Sequence, residues 1–309
     1  MNLLNTTKNP TMTESPSQFH GIIAYPVTPF AADGSVDETA LRRLIDRLID
    51  DGAHAIAPLG STGESAYLTE AEWQRVAAIS IEQANRRVPV IVGVSDLTTA
   101  GAVQRARFAA QRGSDAVMLL PVSYWKLSEA EIFEHVSAVA RATDTPIMLY
   151  NNPATSGVDM QPEFIVRMVN AIDNVTMVKE STGDIQRMHR IAQLSDHRIR
   201  FYNGCNPLAL EAFAAGATGW CTAAANLIPA QVLELYQAAR AGDFDTARRV
   251  FYQQLPVLQF ILKGGLPTTV KAGLSLRGFD AGAPRLPLVA ASMESRVELA
   301  RLLDQALAR

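Results

Sequence analysis

Between Gly21 and Gly242 a short apolar run is followed, eight times over, by a longer stretch with helical periodicity. The apolar runs fall at 21–27, 53–59, 88–94, 116–120, 146–150, 175–179, 199–202 and 219–223. Runs this short and this poor in charge read as strands buried on both faces. The stretches between them carry helix signals. Leu41, Leu44, Ile45, Leu48 and Ile49 line one face of a segment 37–51. Thr69-x-x-Glu72 and Ser128-x-x-Glu131 are capping boxes, and Gly52, Gly113, Gly216 and Gly242 are stop signals. Strictly alternating strands and helices predict a parallel sheet with crossover helices. Eight units in about 220 residues match a closed (β/α)8 TIM barrel. A doubly wound open sheet is the alternative, but its G-x-G-x-x-G fingerprint is missing.

After Gly242 the strand pattern stops. Three helices are expected at 243–262, 268–276 and 288–308, broken up by Pro256, Gly264-Gly265, Pro267 and the segment 284–287. The expected division is a polar, poorly ordered tail at 1–18, a barrel at 19–242 and a helical C-terminal extension at 243–309. The tail lacks the apolar core of a secretory signal. A net charge of -3 gives no electrostatic pull toward nucleic acid or an anionic membrane. No apolar run reaches the roughly 18 residues that suggest a membrane span. Two cysteines without a C-x-x-C, and scattered histidines, predict neither a disulfide framework nor a metal site. A reducing, cytoplasmic setting is expected.

In a barrel the chemistry sits at the C-terminal ends of the strands. The sixth run, V-T-M-V-K-E, puts Lys179 there. By alternation Met177 and Lys179 share one face, Val178 and Glu180 the other. Burial favours a neutral, nucleophilic amine, whose partner is a carbonyl; the other readings are a snorkelling lysine or a pair with Glu180. After the second run comes Gly60-Ser61-Thr62-Gly63-Glu64, either a cradle for a carboxylate or a glycine turn with capping hydroxyls. After the fifth comes Tyr150-Asn151-Asn152-Pro153, with Tyr150 either a proton relay or a packed aromatic. Gly204, after the seventh run, leaves room in the pocket. Together these suit a 2-oxo acid: an amine to attack the ketone, a phenol to move protons, a cradle for the carboxylate.

G-S-T-G-E, Y-N-N-P with Gly157 behind it, and V-K-E-S-T-G-D stand in this order. The chain resembles the dihydrodipicolinate synthase/N-acetylneuraminate lyase family of class I Schiff-base lyases from about Phe19 to its C-terminus. The resemblance implies Lys179 as the Schiff-base lysine, with no other cofactor, and Tyr150 as proton relay. It implies Ser61 and Thr62 as pyruvoyl-carboxylate ligands, Ser61 also in the hydroxyl relay, and Cys221 in the pyruvoyl pocket. It implies a homotetramer in which a residue after the fourth strand reaches the neighbour's site. Tyr124 is the candidate. Trp125 and Lys126 either line the outer pocket or cover the subunit interface.

Two departures bear on the substrate. Synthases of the family resemble Y-N-x-P-S-R-T-G, with the arginine gripping the aldehyde's carboxylate, where this chain has Thr155. A lost contact of that kind costs on the order of 2–5 kcal/mol. Sialic acid lyases resemble G-x-D-E after the seventh strand, where this chain has Gly204-Cys205-Asn206-Pro207. Thr155 and Asn206 are therefore expected to help define the outer substrate site. The leading expectation is aldol cleavage, condensation or dehydration of a sugar-derived 2-oxo acid. Synthesis of 4-hydroxy-tetrahydrodipicolinate from pyruvate and aspartate semialdehyde, and a barrel that binds 2-oxo acids without turnover, are the alternatives.

Overall fold

The computed structural model describes residues 19–308, so the expected tail at 1–18 lies outside the described residues. The chain runs β1 (Gly21–Ala24), α1 (Glu38–Asp50), β2 (Ala55–Ile56), α2 (Glu70–Ala84), β3 (Ile91–Gly93), α3 (Thr99–Gln111), β4 (Ala116–Leu119) and α4 (Glu129–Ala140). It continues with β5 (Ile147–Asn151), α5 (Pro153–Ser156), α6 (Pro162–Ala171), β6 (Val175–Glu180), α7 (Ile185–Leu194), β7 (Arg200–Asn203), α8 (Ala209–Ala214), β8 (Gly219–Thr222) and α9 (Pro229–Arg240). The last helices are α10 (Phe244–Gly264), α11 (Leu266–Leu276) and α12 (Met293–Leu307). All strand pairs are parallel, in the order β2-β1-β8-β7-β6-β5-β4-β3. A parallel bridge from Ile56 to Val90 joins the two ends. This is the (β/α)8 barrel the alternation predicts.

The local signals behave as expected. Thr69 and Ser128 each close a full capping box, and Asp37 and Asp184 accept from backbone N–H groups at the starts of α1 and α7. Three expectations need correction. Pro256 does not break a helix: α10 runs through it, its buried face of Val250, Phe251, Val257, Leu258 and Ile261 offsetting the lost N–H bond. The last helix starts at Met293 rather than 288, where Ser292 supplies the N-cap. The run 175–178 is not buried throughout, because Thr176 is exposed. The register explains it. Ile147 pairs with Val175 and Met148 with Met177, so Thr176 is bulged out. Val175 therefore packs outside the sheet, while Met177, two residues on, points inside.

Alternation and register stack the barrel interior in levels of four, each level drawn from alternate strands. Ile23, Ile91, Met148 and Tyr202 form one level. Above it, toward the strand C-termini, lie Ala57, Met118, Lys179 and Cys221. The uppermost level holds Tyr25, Gly93, Tyr150 and Gly204. Tyr202 closes the lower end by donating to the Phe19 carbonyl at 2.9 Å.

The outer faces of β1 and β8 share one apolar cluster with α9 to α12, including Ile22, Trp220, Val232, Val250, Leu258 and Leu303. We propose that the boundary at 242/243 separates architectures and not folding units, since the extension completes the barrel's own core. Among the described residues no helix is long and apolar enough to cross a membrane.

The segment after α11 is strapped to α2. Arg285 donates to both Glu72 carboxylate oxygens at 2.7 and 2.8 Å, and to the carbonyls of Gly34 and Tyr67. The guanidinium holds the Glu72 carboxyl down from 4.5 to about 2. A carboxyl with a lowered folded-state value adds stability that is complete above its unfolded value and is lost as pH falls through the folded one. Between pH 4.5 and 2 the wild type should therefore lose unfolding free energy more steeply than Glu72→Gln. Urea denaturation at stepped pH measures both slopes, and equal slopes would remove the strap's contribution.

Candidate active site

Lys179 is only 4% exposed. Its Nζ lies 3.7 Å from the centre of the Tyr150 ring and 4.0 Å from that of Tyr25. It does not pair with Glu180, which points to the other side of β6. There Glu180 accepts from Arg187 Nε at 3.2 Å, Asn151 Nδ2 at 3.2 Å and the Thr182 N–H at 2.8 Å. Among the described residues no carboxylate lies within ion-pair distance of Nζ. The snorkelling reading fails with the pairing one, because this amine is sealed inside the barrel.

Tyr150 stands beside Lys179 in the β5–β6 register, and its hydroxyl accepts from Asn152 Nδ2 at 2.8 Å. The loop 60–64 is bracketed by two non-glycine residues in left-handed conformation, Leu59 at φ 62° and Glu64 at φ 56°. Such strain persists only where surroundings impose it, and it gathers at functional sites. Within the loop Gly63 N–H donates to Gly60 O and Glu64 N–H to Ser61 O. The N–H groups of Ser61 and Thr62 are left without an acceptor among the described residues. Two adjacent free amides and two hydroxyls, with Thr62 buried, are the kind of donor set that can receive an anion.

Buried charge imposes that strain. Glu64 and Lys271 have side-chain exposures of 0% and 2%, with Nζ 2.7 Å from Oε1. The other Glu64 oxygen accepts the Arg285 N–H at 2.7 Å. Lys271 also donates to Ala283 O and lies over the Phe30 ring. Burial pulls its ammonium below the ordinary lysine value even with Glu64 beside it. The C-terminal extension thus reaches through α11 to the loop that carries Ser61 and Thr62.

The other predicted residues divide. Cys221 is buried in the Lys179 level, where burial pushes its thiol up; that suits a small wall residue and not a nucleophile. Gly204 is required: a Cβ there would lie 1.7 Å from Ser181 Oγ and 2.8 Å from Lys179 Cε. Thr155 is exposed, in the one-turn helix α5. Asn206 is turned away, its amide oxygen accepting from Trp220 Nε1 and Thr222 Oγ1. Tyr124 is 98% and Trp125 78% exposed. Two residues escaped the sequence reading. Ser181, two residues past Lys179, has a buried Oγ without a hydrogen-bond partner beside Gly204. Tyr25 directly follows β1, and the strand-end position that singled out Lys179 and Tyr150 could have singled it out too. Among the described residues no three or more His, Cys, Asp or Glu side chains gather as a metal site would require.

The model of the Dihydrodipicolinate synthetase family matches residues 18–306. A curated 4-hydroxy-tetrahydrodipicolinate synthase of Pelobacter propionicus is 36% identical over 285 residues, covering 92% of this chain and 98% of that protein. A solved Pseudomonas aeruginosa structure, described as a candidate dihydrodipicolinate synthetase, is 60% identical with a TM-score of 0.92, covering 93% and 99% of the two chains. The chloride-inhibited dihydrodipicolinate synthase of Acinetobacter baumannii, solved with pyruvate, is 30% identical with a TM-score of 0.89, covering 93% and 98%.

Removing one member of a buried ion pair strands the other. Lys271→Met should cost roughly 3–5 kcal/mol of unfolding free energy. Adding Glu64→Gln should recover part of that loss. Chemical denaturation of both variants checks this, and an additive double variant would show that the pair carries no coupling.

Proposed function

The chain belongs to the dihydrodipicolinate synthetase family and is a class I, lysine Schiff-base lyase; from that premise we propose that it activates pyruvate on Lys179 and adds the product to an aldehyde. The observation that carries this reading is a buried lysine beside Tyr150 and below a loop with two free amides, with no carboxylate partner for the lysine and no acceptor for the amides among the described residues. The neutral amine attacks the C2 ketone of pyruvate. The ketone oxygen takes up protons and leaves as water, giving a protonated imine. Loss of a C3 proton yields an enamine, whose C3 bonds to the aldehyde carbon while the aldehyde oxygen gains a proton. Tyr150 moves these protons, Ser61 relays them, and Ser61 and Thr62 hold the carboxylate. Cys221 and Gly204 shape the pyruvoyl pocket.

For the second substrate the whole-chain likeness outweighs the single-residue argument. The name shared by the curated relatives, 4-hydroxy-tetrahydrodipicolinate synthase, supports aspartate semialdehyde. This reverses the order expected from sequence, where a sugar-derived 2-oxo acid led. That second reading keeps one observation in its favour, since Thr155 on the exposed rim offers a carboxylate no guanidinium. The unpartnered Ser181 hydroxyl would serve either aldehyde oxygen.

The same proposal includes a homotetramer, supported by the exposed neighbours Tyr124 and Trp125, an aromatic patch of the kind that marks contact surfaces. Tyr124 would be the residue lent to the neighbouring site. Cytoplasmic residence is supported by two free thiols, Cys205 and Cys221.

Incubation with pyruvate and borohydride should leave a reduced pyruvyl adduct on the peptide containing Lys179, and Lys179→Ala should leave none. An unmodified wild type, folded and saturated with pyruvate, would overturn the reading. Turnover of pyruvate with aspartate semialdehyde, against pyruvate release from deoxy-sugar 2-oxo acids, separates the two second substrates. Tyr150→Phe should lower kcat by about 10²–10⁴-fold, the usual worth of a positioned acid–base group.

A further inference from the structure

We propose that Tyr25 is a catalytic residue of imine formation, its ring the second of two aromatic faces between which the Lys179 nitrogen carries positive charge. The inference rests on Lys179 being the imine-forming amine, and it adds a residue to that site.

The barrel's own geometry makes the argument. In the strand order, β1 and β5 are four steps apart, so they face each other across the closed barrel. Their inward residues in the uppermost level are Tyr25 and Tyr150, while β3 and β7 contribute Gly93 and Gly204. The level above Lys179 therefore has two aromatic walls on one diagonal, and on the other two glycines against which the Leu59 backbone and the Ser181 and Lys179 side chains pack. Nζ rises between the walls, 4.0 Å from one ring centre and 3.7 Å from the other. The nitrogen gains positive charge as the imine forms. It attacks as the neutral amine and, once the C2–N bond has formed and the ketone oxygen has taken up two protons and left as water, it has become a protonated imine. With no carboxylate in reach, the ring faces are the attractive partners this charge has among the described residues.

Tyr25 differs from Tyr150 in its hydroxyl. Tyr150 presents its hydroxyl to Asn152. Tyr25 donates its own to Met118 Sδ at 3.0 Å and also meets the Cys221 thiol. Burial pushes the Tyr25 phenol well above its ordinary value, so it stays protonated and moves no proton in the reaction. What it offers is the face of the ring. That face is held in place: Asn226 Nδ2 donates to the Tyr25 carbonyl at 2.9 Å. It also touches the cradle, for a Cβ on Gly60 would lie 3.0 Å from two Tyr25 ring carbons. A pyruvoyl group joined to Nζ and held by Ser61 and Thr62 spans the edge of this ring.

The test is the initial rate of borohydride-trapped pyruvyl adduct on Lys179, in wild type, Tyr25→Phe and Tyr25→Leu, with folding followed by circular dichroism. Tyr25→Leu should slow trapping by about tenfold or more, and Tyr25→Phe, which restores the ring alone, should recover most of that loss. Tyr25→Met, which fills the space without a π face, replaces the leucine variant if the latter does not fold. A folded leucine or methionine variant that traps at the wild-type rate would overturn the proposal. So would a phenylalanine variant as slow as the leucine one, since the loss would then belong to the hydroxyl. A wild type with no adduct would remove the imine reading and this proposal together; adduct in wild type with unaffected variants removes this proposal alone.

Discussion

A closed eight-stranded barrel has to fill its interior, and each level has room for only four side chains. That constraint governs the site. Four large residues at one level would leave no space for a substrate, and four glycines would leave a void. The uppermost level resolves this with two tyrosines on one diagonal and two glycines on the other. Lys179 belongs to the level below, and its nitrogen reaches up between the two tyrosine rings. The bulge at Thr176 is what aims it there. A regular β6 that kept Val175 on the outer face would turn Met177 outward, and Lys179 with it. One residue's slip in a strand pair thus decides whether this amine is inside or outside.

The fold was legible because each crossover writes its signals locally. Thr69, Ser128, Asp37 and Asp184 cap helices within three residues of themselves, so a sequence shows them directly. The bulge was not legible, because it depends on how Thr176 meets Ile147 on another strand. Pro256 misled for a related reason. Its local cost is visible in sequence, whereas the packing of α10 that offsets it is not.

At the site, position at the strand ends reached Lys179 and Tyr150, and the glycine-rich loop announced itself. Tyr25 went unnoticed because it sits inside the apolar run 21–27 with no motif around it, and only the barrel's closure brings it opposite Tyr150. Asn206 was drawn in by its position after β7, yet a local turn sends its amide to Trp220 and Thr222. Thr155 shows the limit of arguing a substrate from one side chain. It removes a known grip without revealing what replaces it, and the likeness of the entire chain points the other way.

The buried pair of Glu64 and Lys271 also fixes an order of events. Proteins are made from the N-terminus, and domains gain structure as they emerge. The loop that holds Ser61 and Thr62 is synthesised in the first quarter of the chain. Its anchors, Lys271 and Arg285, come in the last. Until they arrive, Glu64 has no cation to face and no reason to stay buried, so Leu59 and Glu64 need not adopt their left-handed conformations. A nascent chain that has made every strand of the barrel still lacks the partners that hold this loop. The contacts that fix the loop of Ser61 and Thr62 are complete only once the chain has been made as far as Arg285.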